Sequence, residues 1–471
     1  MSGRWPAYAA REAVLADLER AIAATPAALD TRFYYASFLR DHGRLDEAIA
    51  GFADVLATAP DHVETLVAYG AALARAGRRL DARDVLERAV DRDPAHYVAL
   101  VSLANLLALD DPERAASLYA AAIALDARRE AAHRGACSLA AARGDRAAAA
   151  RHRAAGYASG PFARRAYFGV GMPPAVLALV STDGGNIPLD ALVDPHRFAA
   201  NELFVEAYRD EALPPHDVIV NAIADADRAG AALRDAERIA ERSRAPLINA
   251  PAAVARTGRI ANAARLAHLT GVIAPAARVA RAGAAPPALP AIVRAPGLHM
   301  GRGMVLARGA AAYARALEPF AGRGDALAIP YVETRSRDGA WRKYRVMAIG
   351  GALYPLHLAV AQRWDVHYFS SAMWERADYR AEEAAFLADP RASLGAAAWG
   401  ALGRIFAILA LDYAGIDFGI APGGEVVLFE ANAAMTVLPP DADERFAYRR
   451  PAAERVAAAI HAMLDARGNR R

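Results

Sequence analysis

Three prolines, Pro26, Pro60 and Pro94, stand 34 residues apart, and the apolar positions between them recur in register. Ala36, Leu39, Gly43, Ala48, Phe52 and Leu56 precede Pro60 as Gly70, Leu73, Gly77, Ala82, Leu86 and Val90 precede Pro94. A period of this length is that of a stacked helical hairpin. Small residues sit where two helices approach closely, large ones fill the groove, glycine closes the turn, and proline opens the next unit. A third unit, from about His96 to Asp126, is one residue off register. A fourth is degenerate, with Cys137, Ala140 and Gly144 at the expected places. Residues 1–155 are therefore expected to form an all-α solenoid. In 156–174 the period is lost and glycine, proline and aromatics gather, so this stretch is expected to be a linker.

From residue 175 the pattern changes to short apolar runs separated by helical segments. AVLALVS at 175–181 and DVIVNAIAD at 217–225 predict buried parallel strands, Ala229–Ser243 a helix, and PLINAP another strand, giving an α/β unit over 175–252. The turn after its first strand carries Gly184, Gly185 and Asn186 beyond a strand's carboxyl end, where open α/β sheets bind ligands. These three are candidate substrate contacts.

Residues 253–471 hold most of the candidate chemistry. Arg259 opens a helix behind an apolar strand, with Arg256 beside it. A strand ending at Arg294 leads into a glycine-rich loop, Gly297 to Gly303, which includes Gly301, Arg302 and Gly303. Glycines let backbone N–H groups approach phosphate oxygens, and arginines supply charge. The strand ALAIP runs into Tyr331, Val332 and Glu333. In WRKYRVMAIGG, Lys343 and Arg345 share one face of a strand, and the Gly350-Gly351 turn leads to a partner strand with His357. The segment 362–376 brings Trp364, His367, Tyr368 and Trp374, polar aromatics suited to a pocket wall. Finally, alternation over Ile416–Ile420, a break at Pro422-Gly423-Gly424 and a second strand over Glu425–Glu430 predict a hairpin. It places Asp417 near Glu430 and Asn432, and the last two share a face. Two carboxylates and a carboxamide form a hard-oxygen set suited to Mg²⁺.

Composition narrows the classes. Hydrophobic residues make up 55% of the 471, but alanine carries that number and no long charge-free apolar run occurs, so no membrane span is expected. The first twenty residues lack a signal peptide's uninterrupted core, and the single cysteine, Cys137, excludes an intrachain disulfide and a cysteine-based zinc site. A cytoplasmic location is the expectation. The net charge is +3, with signs interspersed, which gives no nucleic-acid footprint. Nearly all of the basic residues are arginine; Lys343 is the only lysine.

The repeats over roughly residues 10–155 resemble tetratricopeptide repeats, whose concave face usually binds a peptide or helps a chain self-associate. The order of glycine loop, Lys343/Arg345 strand and DFG…FEAN hairpin resembles the ATP-grasp superfamily, near its glutathione synthetase, D-alanine ligase and RimK-type branches. That resemblance implies a pre-ATP-grasp α/β domain at 175–252 and two α+β lobes over 253–471 that clamp ATP. It implies Arg259, Arg294, Gly301, Arg302 and Gly303 on the phosphates, Tyr331 and Val332 at the adenine, and Glu333 near the ribose. It further implies Lys343 and Arg345 in catalysis, with Asp417, Glu430 and Asn432 holding Mg²⁺. Arginines stand at Arg259 and Arg294 where the family usually has lysines.

The activity so implied is ATP- and Mg²⁺-dependent ligation of a carboxylate to an amine through an acylphosphate, giving ADP and phosphate. A peptide, protein or small molecule would be substrate, with His357, Trp364 and His367 as candidate contacts. The alternative is a non-catalytic repeat scaffold whose second part binds nucleotide as a switch. A kinase acting on a carboxyl or hydroxyl group is a third reading.

Overall fold

The computed structural model describes residues 8–296, 303–321, 325–367, 371–435, 437 and 443–468. They form two compact units. The first comprises Met1–Val176, Ser181–Gly184 and Pro195–Pro215, and the second Leu177–Val180, Gly185–Asp194 and His216–Arg471. The expected linker thus belongs to the first unit.

That unit begins with a helical solenoid: α1 (Tyr8–Ala24), α2 (Leu29–Asp41), α3 (Leu45–Thr58), α4 (Val63–Arg75), α5 (Arg79–Arg92), α6 (Tyr97–Leu107), α7 (Pro112–Leu125), α8 (Glu130–Ala142) and α9 (Arg146–Gly156). Pro60 and Pro94 lie in the turns before α4 and α6, where the missing N–H is harmless. Gly43, Gly77 and Gly144 close the turns within the first, second and fourth hairpins at φ +80°, +79° and +78°, a region that L side chains rarely adopt. The third hairpin, off register in the sequence, turns instead through Asp110 and Asp111, and Asp111 caps α7 by accepting from the Arg114 N–H.

Ala36, Leu39, Ala48, Phe52, Leu73, Ala82 and Leu86 are at most 1% exposed, as the repeat requires. A Cβ on Gly70 would lie 2.6 Å from Leu86 Cγ, so the α4–α5 approach depends on having no side chain there. Gly70→Val is expected to lower stability by about 1–3 kcal/mol through overpacking, read as a fall in urea midpoint at unchanged m.

Beyond the helices, β1 (Phe162–Arg164) pairs antiparallel with β3 (Ala199–Phe204). The segment 181–183 is pinned within this unit. Ser138 donates to the Thr182 carbonyl at 2.8 Å, Arg153 to the Thr182 hydroxyl at 2.7 Å, and Glu206 accepts from Ser181 and from the Thr182 N–H. Cys137 is buried, and burial pushes its thiol up to about 11, an unreactive state.

The second unit holds most of β2 (Ala175–Val180), with β4 (Val218–Asn221), α10 (Gly230–Ala240) and β5 (Leu247–Ile248). Its strand order is β2-β4-β5, and β4 and β5 run parallel. Two short helices follow, α11 (Pro251–Ala255) and α12 (Arg259–Leu266), then β6 (Val272–Ile273). A four-stranded antiparallel sheet of order β7-β10-β8-β9 is built from β7 (Arg278–Ala280), β8 (Ala291–Arg294), β9 (Val305–Ala307) and β10 (Ala326–Pro330). Its small core of Ala291, Val293, Ala307, Ala326 and Ala328 is closed by Tyr313 and Leu317 of α13 (Ala310–Leu317).

A five-stranded sheet takes in β11 (Trp341–Ile349), β12 (Ala352–Ala361), β13 (Tyr413–Ile420) and β14 (Val426–Asn432) in the order β12-β11-β13-β14-β6. It is antiparallel except for β6, which runs parallel to β14. The helices α14 (Ala377–Ala388), α15 (Pro390–Leu394), α16 (Ala396–Leu409) and α17 (Arg450–Gly468) complete the unit. Ala401, Leu402, Ile405 and Leu409 of α16 share a core with Ile416, Phe418, Val426 and Leu428, the inward face of the hairpin. Among the described residues no helix is long and apolar enough to cross a membrane.

Candidate functional site

Antiparallel pairing fixes which side chains meet, because residues directly opposite share a face. In the five-stranded sheet His357 pairs with Arg345, Arg345 with Asp417, and Asp417 with Glu430. Four titratable groups therefore stand in one row across four strands. A bulge beside Asp417 leaves Phe429 as the extra residue, so that Leu428 resumes the register against Phe418. Lys343 lies two residues along from Arg345 on the same face, and Asn432 two along from Glu430, as the alternation predicts.

The row is held by ion pairs. Arg345 forks onto Asp417, Nε to Oδ1 at 2.6 Å and Nη2 to Oδ2 at 2.8 Å, and Lys343 Nζ is 3.1 Å from Oδ2. Burial pushes the Asp417 carboxyl up, but Arg345 and Lys343 more than offset this and hold it far below the usual carboxylate range. Glu430 Oε1 accepts from Arg259 Nη2 at 3.0 Å and from Asn432 Nδ2 at 2.9 Å. The two carboxylates and the carboxamide are thus neighbours, as the hairpin pattern requires. Among the described residues no group of three or more His, Cys, Asp or Glu side chains forms a metal cage. A Mg²⁺ ion needs only one or two carboxylates, however, and fills its shell with water and phosphate oxygens. The donor set fits that ion in kind. With Arg345, Lys343 and Arg259 already on the carboxylates, it fits a cation that arrives with an anion better than a bare one.

His357 is half-buried beside Arg345, and desolvation of its ring first, then that arginine, holds its imidazole well below its ordinary value and therefore neutral. A histidine held neutral in the folded state stabilises above the unfolded-state pKa of about 6.5 and loses that contribution as pH falls below it. His357→Gln is expected to remove up to about 1.4 kcal/mol per pH unit from the acid slope of stability between pH 6.5 and 5, measured by urea titration at several pH values.

Beside Glu430 opens a small cleft of about 60 Å³, lined by Asp225 and Asp227 after β4, Thr257, Arg259 and Asn262 at α12, Pro275 and Ala277 after β6, Ile329 of β10, and Leu428–Asn432. The lining is mixed: Ile329, Leu428 and Phe429 are apolar, and Asp225, Asp227, Arg259 and Glu430 carry charge. Asp227 accepts from the Arg259 N–H at 3.2 Å and so occupies the start of α12. Asn262 donates to the Ala431 carbonyl at 2.5 Å and ties that helix to β14. Arg294 ends β8, buried, and burial followed by nearby Arg259 brings its guanidinium down to about 10.

The remaining sequence candidates distribute unevenly. Gly301 and Arg302 lie outside the described residues, as does Tyr368; Gly303 has φ +65°. Tyr331, Val332 and Glu333 follow β10. Glu333 Oε1 accepts from Tyr331, Trp341 and the backbone N–H groups of Thr334 and Arg335. Burial raises this carboxyl, and those bonds more than offset it, so it stays lowered. Trp364 meets the Tyr331 ring edge-on at 6.1 Å between centroids. His367 is half-buried in the loop after β12. Gly184 lies in the first unit and Gly185 and Asn186 in the second; the Gly185 carbonyl accepts from the Ala224 and Asp225 N–H groups, so this turn braces the end of β4. Sequence reasoning missed Asp225, Asp227, Thr257, Asn262 and Phe429. Only Asn262, polar beside Ala263 and Leu266 on the buried face of α12, left a signal that could have been read.

No protein-family model matches the chain, and no curated protein matches it. Three solved structures show the extent of its likeness to known folds. MamA from Desulfovibrio magneticus is 23% identical, with 30% of this chain and 81% of that one covered, at TM-score 0.28. A tetratricopeptide repeat protein of Thermus thermophilus is 19% identical, covering 31% and 81%, at 0.28. Another from Parabacteroides merdae is 18% identical, covering 30% and 57%, at 0.28. Likeness this slight adds nothing to what the helix hairpins display: a repeating, tetratricopeptide-like α-solenoid.

Proposed function

We propose that the helical array is an interaction module and that the second unit binds a phosphorylated nucleotide at the cleft beside Glu430. The observation that carries this reading is the row Lys343, Arg345, Asp417, Glu430 and Asn432, with Arg259 and Arg294 near it and the apolar Ile329, Leu428 and Phe429 in the lining of the same cleft. Cations suit phosphate oxygens, and an apolar slot suits a planar base. The order of the two sheets and the hairpin supports an ATP-grasp layout, and with it the joining of a carboxylate to an amine with ADP and phosphate as products. Bound Mg²⁺ would offset charge on the triphosphate, with Asp417, Glu430 and Asn432 as its protein ligands. Arg345 and Lys343 neutralise Asp417 and orient its carboxylate. Arg259 holds Glu430.

The scaffold reading, in which nucleotide acts as a switch without turnover, has a specific observation in its favour: both Asp417 oxygens are already engaged by cations. ADP release from purified protein with ATP, Mg²⁺ and pooled amino acids and peptides tests the pair. Turnover supports ligation, and saturable ATP binding without turnover supports the switch. If the array grasps the substrate, removing residues 1–155 is expected to raise KM for that substrate at least about tenfold while ATP affinity holds.

A further inference from the structure

The chain carries one lysine against 55 arginines. Such a bias places arginine wherever a positive charge is enough, and it flanks this site as well, at Arg342 and Arg345. The exception falls on the side chain that touches Asp417 in the middle of the charged row. We propose that Lys343 is kept as lysine because its ammonium binds a phosphate oxygen of the ligand while holding Asp417, a task a guanidinium cannot perform there.

The geometry gives the reason. Arg345 already takes both Asp417 oxygens with its fork, so a second guanidinium has no parallel pair of acceptors left to match. An ammonium is compact, and its three donors radiate from one atom. One of them serves Asp417 Oδ2 at 3.1 Å. Among the described residues Asp417 is the only partner of Lys343, which leaves two donors for a ligand. The Lys343 side chain is 15% exposed and that of Asp417 6%, so the ion pair is largely shielded while the ammonium keeps a route to solvent. Asp417 lies directly across β13–β14 from Glu430, which lines the cleft. Lys343 shares that face of the sheet two strands from Glu430, so a polyphosphate that extends from Glu430 across β13 reaches the ammonium. The ligand class is a di- or triphosphate, free or as part of a nucleotide, and the inference rests on the reading of this cleft as a phosphate-ligand site.

The test is calorimetric titration of the full chain and of its Lys343→Arg and Lys343→Met variants with ATP, with sodium tripolyphosphate and with adenosine, alongside thermal unfolding. The expected result is at least tenfold weaker binding of ATP and tripolyphosphate in both variants, unchanged adenosine affinity, and a melting temperature for Lys343→Arg within a few degrees of wild type. Retention of wild-type phosphate affinity by Lys343→Arg overturns the proposal, as does an equal loss for adenosine, which marks a merely structural role. If the wild-type chain binds tripolyphosphate through Lys343 but not ATP, the nucleotide reading falls and this one stands. If ATP binds and neither variant weakens it, the reverse holds, and if no phosphate probe binds the wild type, both fall.

Discussion

Asp417→Ala is expected to destabilise the second unit by about 3–5 kcal/mol, because it strands two cations that a buried carboxylate now neutralises. Arg345 and Lys343 both reach that carboxylate, and its removal takes away the counter-charge they share. Asp417→Asn keeps the shape and removes the charge. It is expected to cost less stability than alanine, since the amide oxygen still accepts from one cation, and to reduce any ATP-dependent ADP release by at least about a hundredfold. Urea midpoints for the two variants, set beside ADP release by Asp417→Asn, separate the structural duty of this residue from its proposed chemical one. Equal stability of wild type and Asp417→Ala would show that the row is not the clamp described above.

The second large effect lies away from the cleft. Glu383 of α14 is wholly buried and accepts from Arg449 Nε at 2.9 Å, from Arg449 Nη2 at 2.6 Å, from the Tyr448 hydroxyl at 2.5 Å and from the Leu358 N–H at 3.2 Å. Four donors on one carboxylate make a satisfied network that joins α14, β12 and the turn before α17. Arg449 also lies over the Phe446 ring, 4.1 Å from its centroid. Glu383→Ala is expected to cost about 3–5 kcal/mol by leaving that guanidinium buried without its counter-charge. The double change Glu383→Gln with Arg449→Met is expected to recover at least about half of the loss. A double-mutant cycle on urea midpoints checks it: additive effects would mean that the pair is not coupled.

Neither glutamate nor arginine here stood out in the sequence. Glu383 sits in AEEAAF, which reads as a solvated helical stretch, and Arg449 in a run of charged residues. Helical periodicity puts Tyr379, Phe386 and Leu387 on one face, but does not say that a carboxylate on that same face meets a guanidinium 66 residues away. The hairpin of Asp417 to Asn432 is the opposite case. Its strands, its turn at Gly423-Gly424 and the shared face of Glu430 and Asn432 all follow from alternation and turn chemistry, since both strands and their connection lie within twenty residues. The bulge that makes Phe429 the extra residue did not follow, because nothing in a period of two marks where one strand gains a residue.

The array shows how far a local rule reaches. Each repeat contacts its neighbours at short sequence separation, so period, small-residue contacts and left-handed glycines were written in the order of residues 10–155. The sequence by itself determined those helix pairs, the alternating faces of the last strands and the neighbourhood of two carboxylates and a carboxamide. Tertiary structure alone decided that Asp417 is gripped by Arg345 and Lys343, that Arg259 holds Glu430, and that Asp225, Asp227 and Asn262 complete the cleft. Those contacts join segments from about 70 to 200 residues apart, and which of 55 arginines meets which acid is set by sheet order and burial, which no local pattern encodes.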